Sequence, residues 1–81
     1  MNGKIAVVVP SLGEDVAEVT LVAWLVEVEA ETIKGEPLFE VETDKAVFEV
    51  EAEVTGTLAE VLVPAGRLVA PGATVARIRT G

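Results

Sequence analysis

Short β-branched runs, each closed by glycine or proline, constrain this chain more than any other feature. They lie near Lys4–Val9, Val19–Val28, Leu38–Thr43, Ala46–Ala52, Gly56–Val63 and Thr74–Arg79. The breaks fall at Pro10–Gly13, Lys34–Pro37, Pro64–Gly66 and Ala70–Gly72, where the backbone is either locked by proline or freed by glycine. No stretch joins good caps to a sustained 3.6-residue period. The segment Val16–Val28 comes nearest to a helical pattern, but its β-branched content favours a strand. The expectation is an all-β protein. Its 81 residues make one small domain, 1–81, able to bury roughly 60–65% of its unfolded surface. Without cysteine, apolar packing must hold that core unaided by disulfides or thiolate metal sites.

The chain repeats itself at an offset of 37. Thr20/Thr57, Leu21/Leu58, Leu25/Leu62, Val26/Val63, Gly35/Gly72 and Thr43/Thr80 are identities, against about three expected by chance in so Val-, Glu- and Ala-rich a chain. Leu38/Val75 and Val41/Ile78 keep the same register. Two similar half-sheets related by pseudo-two-fold symmetry would account for this. Packed face to face, they would cover each other's apolar surfaces.

The segment Phe39–Val50 carries the most information. With Asp44 and Lys45 as a two-residue loop, Thr43 faces Ala46, Val41 faces Phe48 and Phe39 faces Val50 on one side. Glu42 faces Val47 and Glu40 faces Glu49 on the other. One face is then mostly apolar and the other acidic, as period-2 alternation requires, and a one-residue shift mixes them. Lys45 therefore sits on the turn. Lysine brings no positive-φ tolerance to a tight hairpin. A lone turn lysine is ordinarily only a solvated residue. Asp44 fits the turn as a residue that bonds its own backbone. The alternating glutamates 40, 42, 49 and 51 could suggest a metal. Yet carboxylates about 5 Å apart in water repel by only ~0.8 kcal/mol, which a solvated face tolerates without an ion.

Charge narrows the partners. The net charge is −8, and residues 27–53 carry all of it, ten acids against Lys34 and Lys45. Such a field repels phosphate backbones and argues against nucleic acid, while favouring attraction to a basic protein surface. No apolar run reaches transmembrane length, and Ile5–Val9 is too short for a secretory signal. The expected compartment is a reducing, intracellular one.

The run Glu42-Thr43-Asp44-Lys45-Ala46 resembles the signature of lipoyl domains from the acyltransferase (E2) components of 2-oxo acid dehydrogenases. The likeness extends over nearly the whole chain. Pro10–Glu14 resembles the family's opening strand and loop, Trp24–Val26 its second strand, and Gly35–Leu38 the lead into the lysine hairpin. Gly56, Leu58, Leu62, Val63 and Gly66 match its second half. One departure stands out: the family places Gly-Asp in a turn where Glu29-Ala30 stand here, and a non-glycine residue at positive φ costs on the order of 1 kcal/mol.

The resemblance implies a flattened β-barrel, a barrel-sandwich hybrid of two short antiparallel sheets. It implies a covalent lipoate on Lys45, with Glu42, Thr43, Asp44 and Ala46 presenting the lysine to a lipoate-attaching enzyme. The group would shuttle acyl units among a thiamine-dependent decarboxylase (E1), the E2 core and dihydrolipoamide dehydrogenase (E3), carried by a monomeric domain with no metal. The loop Ser11–Ala17, with Ser11, Leu12, Gly13, Glu14 and Asp15 as its candidate recognition residues, lies beside the lysine hairpin in related domains and contributes to decarboxylase recognition there. In this chain it could equally be a solvated connection. Trp24 is expected in the core.

Three other readings fit less well. A biotinyl carrier shares the architecture but has Met on both sides of its lysine, where Asp44 and Ala46 stand. Unmodified lipoyl-like interaction modules generally lack the lysine signature. A free-standing enzyme would lack the usual acid–base and nucleophile sets, since the chain has no His or Cys and Ser11 is its one serine. The E2 acyltransferase site itself uses a histidine.

Overall fold

The computed structural model describes residues 3–13 and 15–80. Eight strands account for all its regular structure: β1 (Gly3–Val8), β2 (Val19–Trp24), β3 (Glu31–Thr32), β4 (Pro37–Glu42), β5 (Val47–Glu51), β6 (Gly56–Val61), β7 (Leu68–Val69) and β8 (Thr74–Thr80). They form two four-stranded sheets, ordered β1-β8-β6-β3 and β5-β4-β2-β7. Every pairing is antiparallel. The all-β barrel-sandwich architecture agrees with the expectation from sequence.

Two details differ. The two-residue strands β3 and β7 escaped the pattern of β-branched runs, because two residues are too few to show a period. Strand β2 ends at Trp24 rather than near Val28. Beyond it the chain turns, with the Ala30 N–H donating to the Glu27 carbonyl at 3.0 Å.

The offset of 37 is a structural symmetry. Leu25 N–H bonds the Leu38 carbonyl at 3.0 Å, and Leu62 N–H bonds that of Val75 at 2.8 Å. Glu29 N–H bonds the Leu58 carbonyl at 2.8 Å, and reciprocally Gly66 N–H bonds that of Leu21 at 2.7 Å. Bulges interrupt β2 at Leu21/Ala23 and β6 at Leu58/Glu60, at equivalent places. The paired ends Gly3 and Thr80 stand where the other half has its hairpin turn.

Inward residues of both sheets make one core, including Val19, Leu21, Phe39, Val41, Leu58, Val75 and Ile78, all essentially inaccessible. Trp24 packs on its edge, 5.0 Å from the Phe39 ring centroid, and donates its indole N–H to the Val63 carbonyl at 2.9 Å. The apolar body of the ring is thus partly buried with its polar atom satisfied, which supports a structural role. Thr32 is the buried polar residue among those described; its hydroxyl donates to the Gly56 carbonyl at 3.2 Å.

The turn that departs from the family pattern has an explicit geometry. Glu29 sits at φ 75°, close to the 95° of its symmetry mate Gly66. Its carboxylate accepts a bond from Arg79 Nη2 at 3.0 Å. The backbone keeps the glycine-type turn and Glu29 bears the strain.

Candidate functional site

The hairpin β4–β5 has the register read from sequence: Glu42 opposite Val47, Val41 opposite Phe48, Glu40 opposite Glu49, Phe39 opposite Val50. The outcome follows from burial. Phe39 and Val41 are completely covered, while Glu42 and Glu49 are open to solvent, so slipping the register would bury carboxylates.

The turn itself is closed by Thr43. Its N–H donates to the Ala46 carbonyl at 2.9 Å. Its hydroxyl oxygen accepts the N–H of Lys45 and of Ala46, each at 3.2 Å, and the hydroxyl donates to the Ala46 carbonyl at 3.3 Å. A threonine side chain bonding the following backbone N–H groups defines a local turn without glycine. Neither Asp44 nor Lys45 needs positive φ. The backbone-bonding role that Asp44 could have played therefore falls to Thr43. Lys45 is left exposed at the apex. Among the described residues, no carboxylate lies within ion-pair distance of its amine.

Beside the turn lies an open cleft of about 390 Å³. Its hairpin wall is Thr43, Asp44, Lys45 and Phe48; its other wall is the loop before β2, through Leu12, Asp15, Val16, Ala17 and Glu18. The fold thus brings part of the predicted loop to the lysine. Leu12 and Asp15 face it across the cleft. Ser11 and Gly13 do not line the cleft; Gly13, at φ 128°, makes the bend, its carbonyl accepting the Val16 N–H at 3.2 Å. Glu14 lies outside the described residues. Glu42 and Ala46 flank the turn and are exposed.

Two cleft residues had no signal of their own in the sequence. Phe48 was assigned to the covered side of the hairpin, and it is indeed opposite Val41. Strand β5 is an edge strand, however, and Phe48 is 42% exposed. Glu18 stood in a run read as connection. Neither position can be recognised without knowing which loop folds against the hairpin.

Directly opposed Glu40 and Glu49 form part of a solvated acidic face, and among the described residues no group of three or more His, Cys, Asp or Glu is placed to hold a metal. The one perturbed titration lies on the other sheet. The hydrogen bond from Arg77, at 3.0 Å, lowers the Glu60 carboxyl below its ordinary value, and Lys4 adds to this from 3.6 Å. Glu60 belongs to a structural ion cluster remote from the lysine turn.

Residues 5–78 match the Biotin_lipoyl family, described as "Biotin-requiring enzyme". The acetyltransferase component of a pyruvate dehydrogenase complex from Corynebacterium glutamicum is 44% identical over 69 residues, covering 85% of this chain and 10% of that protein. The succinyltransferase component of a 2-oxoglutarate dehydrogenase complex from Staphylococcus saprophyticus is 40% identical over 73 residues, covering 90% and 17%. The chain therefore spans less than a fifth of the length of these relatives. The solution structure of the lipoyl domain of the 2-oxoglutarate dehydrogenase complex from Azotobacter vinelandii superposes with a TM-score of 0.74 at 30% identity, over 91% of this chain and 94% of that one. A family match over nearly the full length, E2 relatives and a lipoyl-domain fold converge: this chain belongs to the biotin/lipoyl-attachment family, as a lipoyl domain of the kind found in dihydrolipoyl acyltransferase components.

Proposed function

We propose that the chain, as one domain over residues 1–81, carries a lipoyl group in amide linkage to Lys45 and has no active site of its own. The observation that carries this reading is the exposed amine at the apex of a hairpin whose turn is closed by Thr43. The fit is chemical: the amine is unpaired among the described residues and the backbone beneath it is bonded. Lys45 Nζ would hold the group, and amide formation would remove its positive charge beside Asp44 and Glu42. When bound, the lipoyl group supplies a dithiolane that accepts acyl units and reducing equivalents.

The chain's own residues contribute presentation. Thr43 holds the apex, the register of β4 and β5 keeps Phe39 and Val41 anchored in the core, and the protruding lysine keeps its point of attachment clear of the sheet. Tethering then raises the effective concentration of the carried group at each enzyme it visits. The partners proposed are a lipoate-attaching enzyme, a thiamine-dependent decarboxylase, an acyltransferase core and dihydrolipoamide dehydrogenase. The domain itself is proposed to be monomeric and to work in the bacterial cytoplasm or the mitochondrial matrix. Lipoate is favoured over biotin by Asp44 and Ala46 beside the lysine.

Incubation with a lipoate ligase, lipoic acid and ATP should add one lipoyl mass, located on Lys45 by peptide analysis and absent from Lys45→Arg. An adduct on Lys4 or Lys34, or biotin in place of lipoate when a biotin ligase is supplied with biotin, would refute the assignment.

A further inference from the structure

The pseudo-two-fold axis maps one outer sheet face onto the other, residue by residue, and the two faces are chemically different. Across β3-β6-β8-β1 the outward row reads Glu31, Thr57, Arg79, Lys4. The equivalent row across β7-β2-β4-β5 reads Leu68, Thr20, Glu42, Val47. In the first, Arg79 is neutralised by Glu29 at 3.0 Å, and Lys4 shares Glu60 with Arg77 of the next row. In the second, Leu68 is 65% exposed, Val47 53% and the bulged Val22 39%. No cation pairs with Glu40, Glu42 or Glu49 among the described residues.

On one face the cations are thus all paired, and the other presents apolar side chains among unpaired acids. The second face also adjoins Lys45, because Glu42 and Val47 are the last paired residues before the turn. Its row spans four strands, about 14 Å at the usual strand spacing. Exposed apolar side chains interleaved with acids of one charge sign make a docking surface, the apolar atoms supplying affinity and the charges steering the encounter.

Building on the carrier reading, we propose that the outer face of the β5-β4-β2-β7 sheet, from Leu68 past Val22 to Val47, docks the enzyme that attaches lipoate to Lys45. The complementary surface on that enzyme sets apolar contacts opposite Leu68, Val22 and Val47 and lysine or arginine opposite the glutamates between and beside them. The partner approaches from the side of the sheet and reaches the amine at the row's end. The cleft on the other side of the turn, formed with the loop before β2, stays free in this encounter.

The test uses the whole chain, a bacterial lipoate ligase, lipoic acid and ATP, with the adduct followed by intact mass. Leu68→Ser should raise KM about tenfold with kcat nearly unchanged, as loss of a contact made equally before and during reaction does. The same substitution at Ile33, an exposed residue off this face, should leave both constants unaltered. Wild-type kcat/KM should fall as salt rises from about 50 to 300 mM, and Glu40→Gln with Glu49→Gln should flatten that dependence, since exposed charges are screened within a Debye length. Urea midpoints confirm that each variant is folded. If wild type is modified on Lys45 while Leu68→Ser and Val47→Ser keep wild-type KM, the docking face is wrong and the carrier reading stands. If folded wild type takes no adduct, the carrier reading fails and the docking face with it.

Discussion

The two halves of this domain share a backbone and differ in what it is used for. Strands β2, β3, β4 and β5 map onto β6, β7, β8 and β1 with the same pairings, the same bulge and the same reciprocal hydrogen bonds at their turns. The inner residues follow suit: Leu21 and Leu58, Val41 and Ile78 fill matching places in one core. The outer residues do not, since Glu40 and Glu42 stand where the other half has Arg77 and Arg79. One half closes its hairpin with Thr43 and carries Lys45; the other meets itself at Gly3 and Thr80. Packing demands equivalent shapes inside, because both sheets must fill one interior at crystal-like density. Outside, nothing but solubility and partners constrains the side chains, so the duplicated frame was free to diverge there.

The sharpest way to break the equivalence is at Gly56, whose mate Val19 is a fully covered side chain. A Cβ on Gly56 would collide with the Arg79 carbonyl and stand 2.8 Å from Ile78 Cγ2. Gly56→Ala should cost about 3 kcal/mol, the upper end of overpacking penalties, measured as a lower urea midpoint at unchanged m-value. A loss below about 0.5 kcal/mol would mean that β6 and β8 move apart readily there.

Next in size are the paired turns. Glu29 and Gly66 share a positive φ, so Gly66→Ala should cost about 1 kcal/mol. Glu29→Gly relieves similar strain and loses an exposed ion pair with Arg79, worth a few tenths of a kcal/mol up to about 1. The net should be neutral or mildly stabilising. Clear destabilisation would show that the Arg79 contact holds the turn more firmly than its exposure suggests.

The smallest effect separates the two faces by pH. Glu60 has a folded carboxyl pKa lowered by its bond to Arg77, with Lys4 adding. A lowered folded pKa stabilises the native state above the unfolded value, near the ordinary 4.5, and that contribution is lost as pH falls through the lowered folded value. Glu60→Gln should therefore narrow the stability difference between neutral and acid pH. An identical pH profile in the variant would remove Glu60 from the account.

Much of this was legible in the chain, for reasons that can be named. Period-2 alternation from Phe39 to Val50 pointed to the hairpin register with Lys45 on its turn, since a one-residue slip mixes the apolar and acidic faces. The offset of 37 announced two similar halves before their hydrogen bonds could be seen. The mismatch at Glu29 was visible as a missing glycine, and the structure keeps the turn while straining the residue.

Other features existed only once the chain was folded. Strands β3 and β7 are two residues long and owe their existence to the partners they pair with, so no local pattern could reveal them. The choice of Thr43 over Asp44 to close the turn depends on angles within a single bend. Which residues of the loop before β2 meet the lysine hairpin, Leu12 and Asp15 but not Ser11 or Gly13, depends on how that loop bends. Sequence by itself determined register, symmetry and the position of Lys45 on the turn, because these follow from alternation and spacing along the chain. Tertiary structure alone decided what surrounds that amine and which sheet face is left unsatisfied, because those neighbours are distant in sequence and meet only through the packing of two sheets.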